Sequence, residues 1–144
     1  MKNSKCLLSV LLACAASLSA QTRSLNIASF GAACGADLVA SPIRTAAGVT
    51  LRFELTSAAP ASVAVLVAGQ QTASPLPLPN TNCGLLVQPR ATFIALVDAA
   101  GSAAFRFPLP PVAPVTIDFQ VVTLALSRNG RTAESSNGVR VTIQ

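Results

Sequence analysis

The sequence predicts an all-β protein: a single β-sandwich of about seven to nine mostly antiparallel strands, immunoglobulin-like or related in topology. Three observations carry that expectation. Apolar residues recur at period two, as in Val49, Leu51, Phe53 and Leu55 against Thr50, Arg52, Glu54 and Thr56, the mark of a sheet with one wet side. Turn residues recur at short intervals between such runs, at the spacing of a sandwich. No stretch shows helical caps followed by helical periodicity, heptads or a long charged run.

The first stretch reads as an export signal, residues 1–20. Two lysines in MKNSK precede the apolar run CLLSVLLACAASL, and SLSA-Q offers cleavage after Ala20. The run is too short to be a standard membrane span. Two rivals stay open. Leu11–Cys14 roughly resembles a lipobox, in which Cys14 would be lipidated and become the N-terminus, and an uncleaved anchor is the other. Cleavage after Ala20 leaves 144 − 20 = 124 residues (21–144), enough for one domain with a core. No later apolar run approaches membrane length, so no transmembrane span is expected in the mature form, which is placed outside the cell or at its surface.

Removing Lys2 and Lys5 lowers the formal charge from +5 to +3 and leaves only arginine as cation. The arginines are scattered and interleaved with Glu54, Asp98, Asp118 and Glu134. Nucleic-acid binding wants a stripe of cations with aromatic stacking partners, and neither is present. The chain has no His, Trp or Tyr, which removes the usual carrier of acid–base chemistry near neutral pH and the usual activator of serine nucleophiles.

In order along the chain, SLNIASF is a first strand with Leu25 and Ile27 on one face and Phe30 out of phase. GAACGAD turns, and DLVASPI gives a short strand stopped by Pro42. VTLRFELTS is the clearest strand. SVAVLVAG is continuously apolar, so it is expected either to be buried on both faces or to be covered on one by a neighbouring molecule; Gly69 and Gln70 end it. PLPLPNTNCG, with Pro75, Pro77 and Pro79, is an extended edge strap or, alternatively, a ligand for a proline-recognising partner. CGLLVQP and TFIALVD are two short strands, and Asp98–Gly101 turns the second into a hairpin with AAFRFP. VTIDFQVVTLALS changes phase at Val121–Val122, which calls for a bulge or a bend between sheets. Asn129–Gly130 and Asn137–Gly138 are turns, the latter leading into VRVTIQ.

Cys34 and Cys83 are the only cysteines after the leader. In an exported domain they read as a disulfide rather than as two buried free thiols. A bridge would leave residues 21–30 outside the covalent loop. Ser24, Leu25, Asn26, Ile27 and Phe30 are therefore the candidate strand-exchange segment, with pairing inside its own sandwich as the alternative.

Several of these stretches resemble, in the same order, a secreted β-sandwich module of exported proteins from planctomycetes and related environmental bacteria. They are FGAACG, VAVLVAG, PLPLPNTNCGLLVQP, DAAGSAAFRFPLP, IDFQVV and SNGVRVTI, spanning Phe30 to Ile143. The module often sits C-terminally in larger proteins, whereas here it stands nearly alone. Its closing strands usually carry a tyrosine or other aromatic near IDFQ, where this chain has only Phe119. The resemblance implies a structural or adhesive module with no assigned reaction.

The function expected is therefore an exported structural or adhesive protein that works through protein–protein contacts, with itself or with other envelope proteins, and self-assembles at the cell surface. It is not expected to be an enzyme, because its five carboxylates form no recognisable pair. The alternative is a carbohydrate- or ligand-binding module, for which six Phe and no Trp or Tyr are poor material. No cofactor and no metal are expected. Two cysteines without histidine do not make a zinc site. Calcium at loop carboxylates near Asp37 or Asp98 lacks a ligand-loop motif.

Overall fold

The computed structural model describes residues 24–109, 114–127 and 130–144. Nine strands are formed: β1 (Leu25–Phe30), β2 (Asp37–Thr45), β3 (Gly48–Thr56), β4 (Val63–Pro77), β5 (Gly84–Leu96), β6 (Ala103–Pro108), β7 (Val115–Ser127), β8 (Gly130–Ser135) and β9 (Gly138–Ile143). All pair antiparallel. A larger sheet, A, runs β1-β9-β7-β4-β5 with β8 beside the second half of β7, and a smaller sheet, B, runs β2-β3-β6. The chain crosses between sheets at β1–β2, β3–β4, β5–β6 and β6–β7. The β3–β4 and β6–β7 crossings are those of an immunoglobulin-like sandwich.

The alternating strands place the core. Leu51, Phe53 and Leu55 of β3, with Leu38 and Phe105, are buried against Leu66, Phe119, Val121, Val139 and Val141 of sheet A. An aromatic chain runs through it: Phe53 to Phe119 at 4.5 Å, Phe119 to Phe107 at 5.4 Å and Phe107 to Phe93 at 5.6 Å. These offset and edge-on contacts suit the ring quadrupoles.

Strands run through several residues expected to stop them. β2 continues through Pro42, which lies opposite Leu51 in an edge strand, where proline is tolerated. β4 does not end at Gly69–Gln70 but reaches Pro77. β7 pairs with β4 only over Val63–Gly69. The proline-bearing end thus has β5 as its one neighbour strand, consistent with the expected edge character. Gly69 marks a register shift rather than an end, and a side chain there would run into the Gln88 carbonyl. CGLLVQP and TFIALVD merge into the single strand β5 through Pro89, at the same irregularity.

Two expected reversals are something else. Asp98–Gly101 does turn: the Asp98 carboxylate accepts from the N–H groups of Ala100 and Ser102, each at 2.9 Å, and Gly101 takes φ 77°. It does not close a hairpin, because β5 belongs to sheet A and β6 to sheet B. Asn137–Gly138 is not a reversal either. β8 and β9 both run antiparallel to β7, and the register moves by one residue between Val122↔Ser135 and Phe119↔Val139. Ser136 is the extra residue. Its N–H donates to the Val121 carbonyl and its hydroxyl accepts from the Val121 N–H, both at 2.9 Å. The bulge thus lies in the neighbouring line, while β7 keeps one register with β4 from Val63↔Leu124 to Gly69↔Asp118; the phase change read at Val121–Val122 is a switch of its apolar residues from the inner to the outer face. Among the described residues Gly130 pairs with Ser127; Asn129 of the expected turn lies outside them.

Candidate functional site

The outer face of sheet A, turned away from sheet B, has two unlike halves. Alternation and register put Asp118, Gln120, Val122, Leu124 and Leu126 of β7 on it, beside Val63, Val65 and Val67 of β4. One half is covered. Past the irregularity at Gly69, the β4–β5 hairpin forms an arm that lies over Asp118 and Gln120 and buries both. The Gln120 carbonyl accepts from Leu86 N–H at 2.6 Å, and its amide donates to the carbonyls of Gly84 at 3.2 Å and Ser136 at 2.8 Å. Asp118 accepts the Gln71 N–H at 2.8 Å and is forked by Arg140 through Nε at 2.7 Å and Nη2 at 3.0 Å. That hydrogen bond, and then the carboxylate charge, hold Arg140 above its ordinary pKa. Asp118 is thus a buried ion-pair partner, although its place on the strand face opposite Phe119 marks it for solvent. A buried carboxylate is tolerable because both oxygens are bonded.

The disulfide fastens this arm. Cys34 and Cys83 are bonded with Cα atoms 5.6 Å apart. Cys34 lies past β1 and is held by two backbone hydrogen bonds to Ser135, while Cys83 opens β5 at the tip of the arm. The bridge therefore ties the arm to its own sheet instead of joining the two sheets. Around it lies an open hollow of about 540 Å³, lined by Ala33, Pro75, Pro77, Thr81, Asn82 and the cystine among others. Among the described residues no charged or aromatic side chain lines it, so none of them supplies the flat ring of a sugar platform.

The other half of the face is open and apolar. Two cross-strand rows run across it: Leu96, Val63, Leu124 and Ala133, then Ile94, Val65 and Val122. Leu126 continues the patch one step further. Ile94 is 73% exposed, Leu96 78%, Leu124 47% and Leu126 82%. At about 100 Å² per whole side chain, these four alone contribute roughly 300 Å² of exposed apolar surface. Typical monomers show a largest patch of about 300–600 Å², often a functional one. The outer face of sheet B is unlike it. Thr50, Arg52, Glu54 and Arg106 occupy it around the exposed Val39, with Arg52 and Glu54 paired at 2.6 Å.

The sequence-predicted residues separate accordingly. Ser24, Leu25, Asn26, Ile27 and Phe30 do form one strand edge, but β1 is paired along its length with β9, from Leu25↔Ile143 to Phe30↔Gly138. Within the single chain the segment is seated in its own sandwich. Phe30 is out of phase as expected, with its ring over Gly138 and 5.7 Å from the Arg140 guanidinium. Residues 1–20, the cleavage point at Ala20 and Cys14 lie outside the described residues. Asp37 begins β2 opposite Thr56, and Asp98 caps its turn. Among the described residues no three His, Cys, Asp or Glu side chains cluster to hold a metal, and no helix is long and apolar enough to cross a membrane. The apolar patch was missed as a site. Its signal was present in the continuous run of SVAVLVAG and in Leu124 and Leu126 falling on the phase opposite Phe119.

No family model matches the chain, and comparison with curated proteins and with solved structures likewise finds no match.

Proposed function

We propose that this is an exported structural or adhesive protein that acts through protein–protein contacts, assembling with itself or with other envelope proteins outside the cell. The observation that carries the reading is the open apolar half of sheet A. Four large aliphatic side chains stand exposed together on a flat strand surface, and exposing them to water is unfavourable unless a partner covers them. The disulfide, the leader-like residues 1–20 and the resemblance to the secreted planctomycete module all agree with an extracellular setting. The mild positive charge of the mature chain favours an anionic surface.

Light scattering and electron microscopy of the purified protein over a concentration series test the reading. Species larger than a monomer, growing with concentration, are expected. A strictly monomeric protein at millimolar concentration, with no envelope protein retained by it, would overturn it. Intact mass of the exported protein tests the setting: the expected mass corresponds to a start at Gln21 less two hydrogens, whereas a lipid-modified Cys14 would correct the N-terminus.

A further inference from the structure

The open patch runs to the edge of sheet A at β5, and that edge is unguarded. Sheet edges normally carry charges, prolines or bulges that discourage another chain from pairing there. β2 has Asp37, Pro42 and Arg44, β6 has Arg106 and Pro108, and β8 has Arg131 and Glu134. From Ala91 to Leu96, β5 has none of these.

The hydrogen-bond pattern shows which backbone groups face outward. Val97 N–H donates to the Ser62 carbonyl at 2.9 Å, in step with the register Val63↔Leu96. Bonded and non-bonded pairs alternate in an antiparallel ladder. Ala95 and Phe93 therefore bond to β4, while Thr92, Ile94 and Leu96 turn their N–H and C=O groups away from it. Among the described residues no hydrogen bond reaches those groups. The same residues carry side chains on the outer face, two of them the exposed Ile94 and Leu96. β1 is also free of charge along its length, but its outward backbone groups belong to Leu25, Ile27 and Ser29. The outer-face side chains beside them are Asn26 and Ala28, which gain little from cover, and Phe30, whose ring already lies over Gly138.

We infer that a second copy of this chain pairs with the β5 edge, antiparallel, about a two-fold axis at Ile94, an inference that rests on the function proposed above. The two-fold matches outer face to outer face only if a residue pairs with one of the same phase. Centring on Ile94 does this and aligns every outward group. Ile94 faces its own counterpart and Thr92 faces Leu96 of the second copy, giving about six main-chain hydrogen bonds. No charged residue is brought opposite a like charge. Sheet A becomes continuous through both copies, and the two apolar patches meet as one strip.

Sedimentation of the full chain and of single variants tests the pairing. Ile94→Pro removes an N–H that has no partner within the chain, and Ile94→Lys adds a charge at a solvent-facing position. Each is expected to weaken dimerisation at least tenfold while leaving the circular dichroism spectrum of a folded sandwich. If the proline variant does not fold, the lysine variant carries the test. Ile94→Cys is expected to give a disulfide-linked dimer under oxidising conditions, since directly opposed bonded residues have Cα atoms about 5.5 Å apart, within cystine range. Ser29→Pro, on the β1 edge, is expected to dimerise as the parent does. Assembly abolished by Ser29→Pro but not by the Ile94 variants would overturn the β5 pairing and leave the proposed function standing. A parent chain that neither assembles nor binds an envelope protein would overturn both.

Discussion

The two halves of the outer face of sheet A invert the usual rule of burial. Where the β4–β5 arm lies over the sheet, the covered side chains are Asp118 and Gln120; where it does not, the uncovered ones are Ile94, Leu96, Leu124 and Leu126. The difference shows that different forces shape the two halves. In the covered half, a covalent clip and a saturated set of hydrogen bonds fix the arm in place. In the open half, apolar surface is left without cover from the described chain, beside a strand edge with outward-facing backbone groups. Sheet B, with threonine, arginine and glutamate outward, is what an ordinary wet face looks like in the same molecule.

The sharpest way to break the contrast is to release the arm. Replacing Cys34 and Cys83 together by serine should cost about 4 kcal/mol by loop-closure entropy over a separation of 49 residues. Urea unfolding would show this, and an unchanged midpoint would mean that the clip does not support the arm. Gln120→Ala comes next. It leaves the Leu86 N–H and the Gly84 and Ser136 carbonyls without their partner, so a loss of about 2–3 kcal/mol is expected. Leu126→Ala in the open half should change the stability of the monomer by less than about 0.5 kcal/mol, because its side chain is already in water. Arg52→Ala on sheet B should be as small, since its ion pair with Glu54 is half exposed.

The Asp118–Arg140 pair adds a test of sign. A cation whose folded pKa is raised contributes stability that is fully present below its unfolded value and is lost only as pH rises through the folded one. For an arginine that range lies above about pH 12. The stability difference between the parent chain and Arg140→Gln should therefore hold constant from about pH 7 to about pH 10. A difference that fades over that interval would contradict the Arg140 assignment.

Much of the fold was legible because period two is a local signal. β3 and β9 alternate cleanly enough to fix their inward faces, and Phe30 declared itself out of phase. What failed depended on neighbours. Pro42 and Gly69 read as stops and Pro89 as a break between two strands, yet each is tolerated where a strand has one partner or a shifted register. The phase change in β7 looked like a bend or bulge of that strand, whereas the strand is regular against β4 and its second half turns Leu124 and Leu126 to the outer face. Asp118 and Gln120 read as ordinary outward residues because nothing local announces that a hairpin thirty or more positions upstream will fold over them. The cystine was read correctly as a pair, but its role could not be, since spacing alone does not say that Cys83 sits at the tip of an arm.

Amide hydrogen exchange, followed residue by residue at a low and a high protein concentration, tests the contrast most directly. The N–H groups of Gln71, Leu86 and Val121 in the covered half should be protected at both concentrations. Those of Thr92, Ile94 and Leu96 should exchange freely when dilute and become protected when concentrated, while Phe93 and Ala95 stay protected throughout. Concentration-independent exchange at Ile94, at concentrations where the protein assembles, would contradict β5 as the meeting edge; rapid exchange at Leu86 would contradict the covered half.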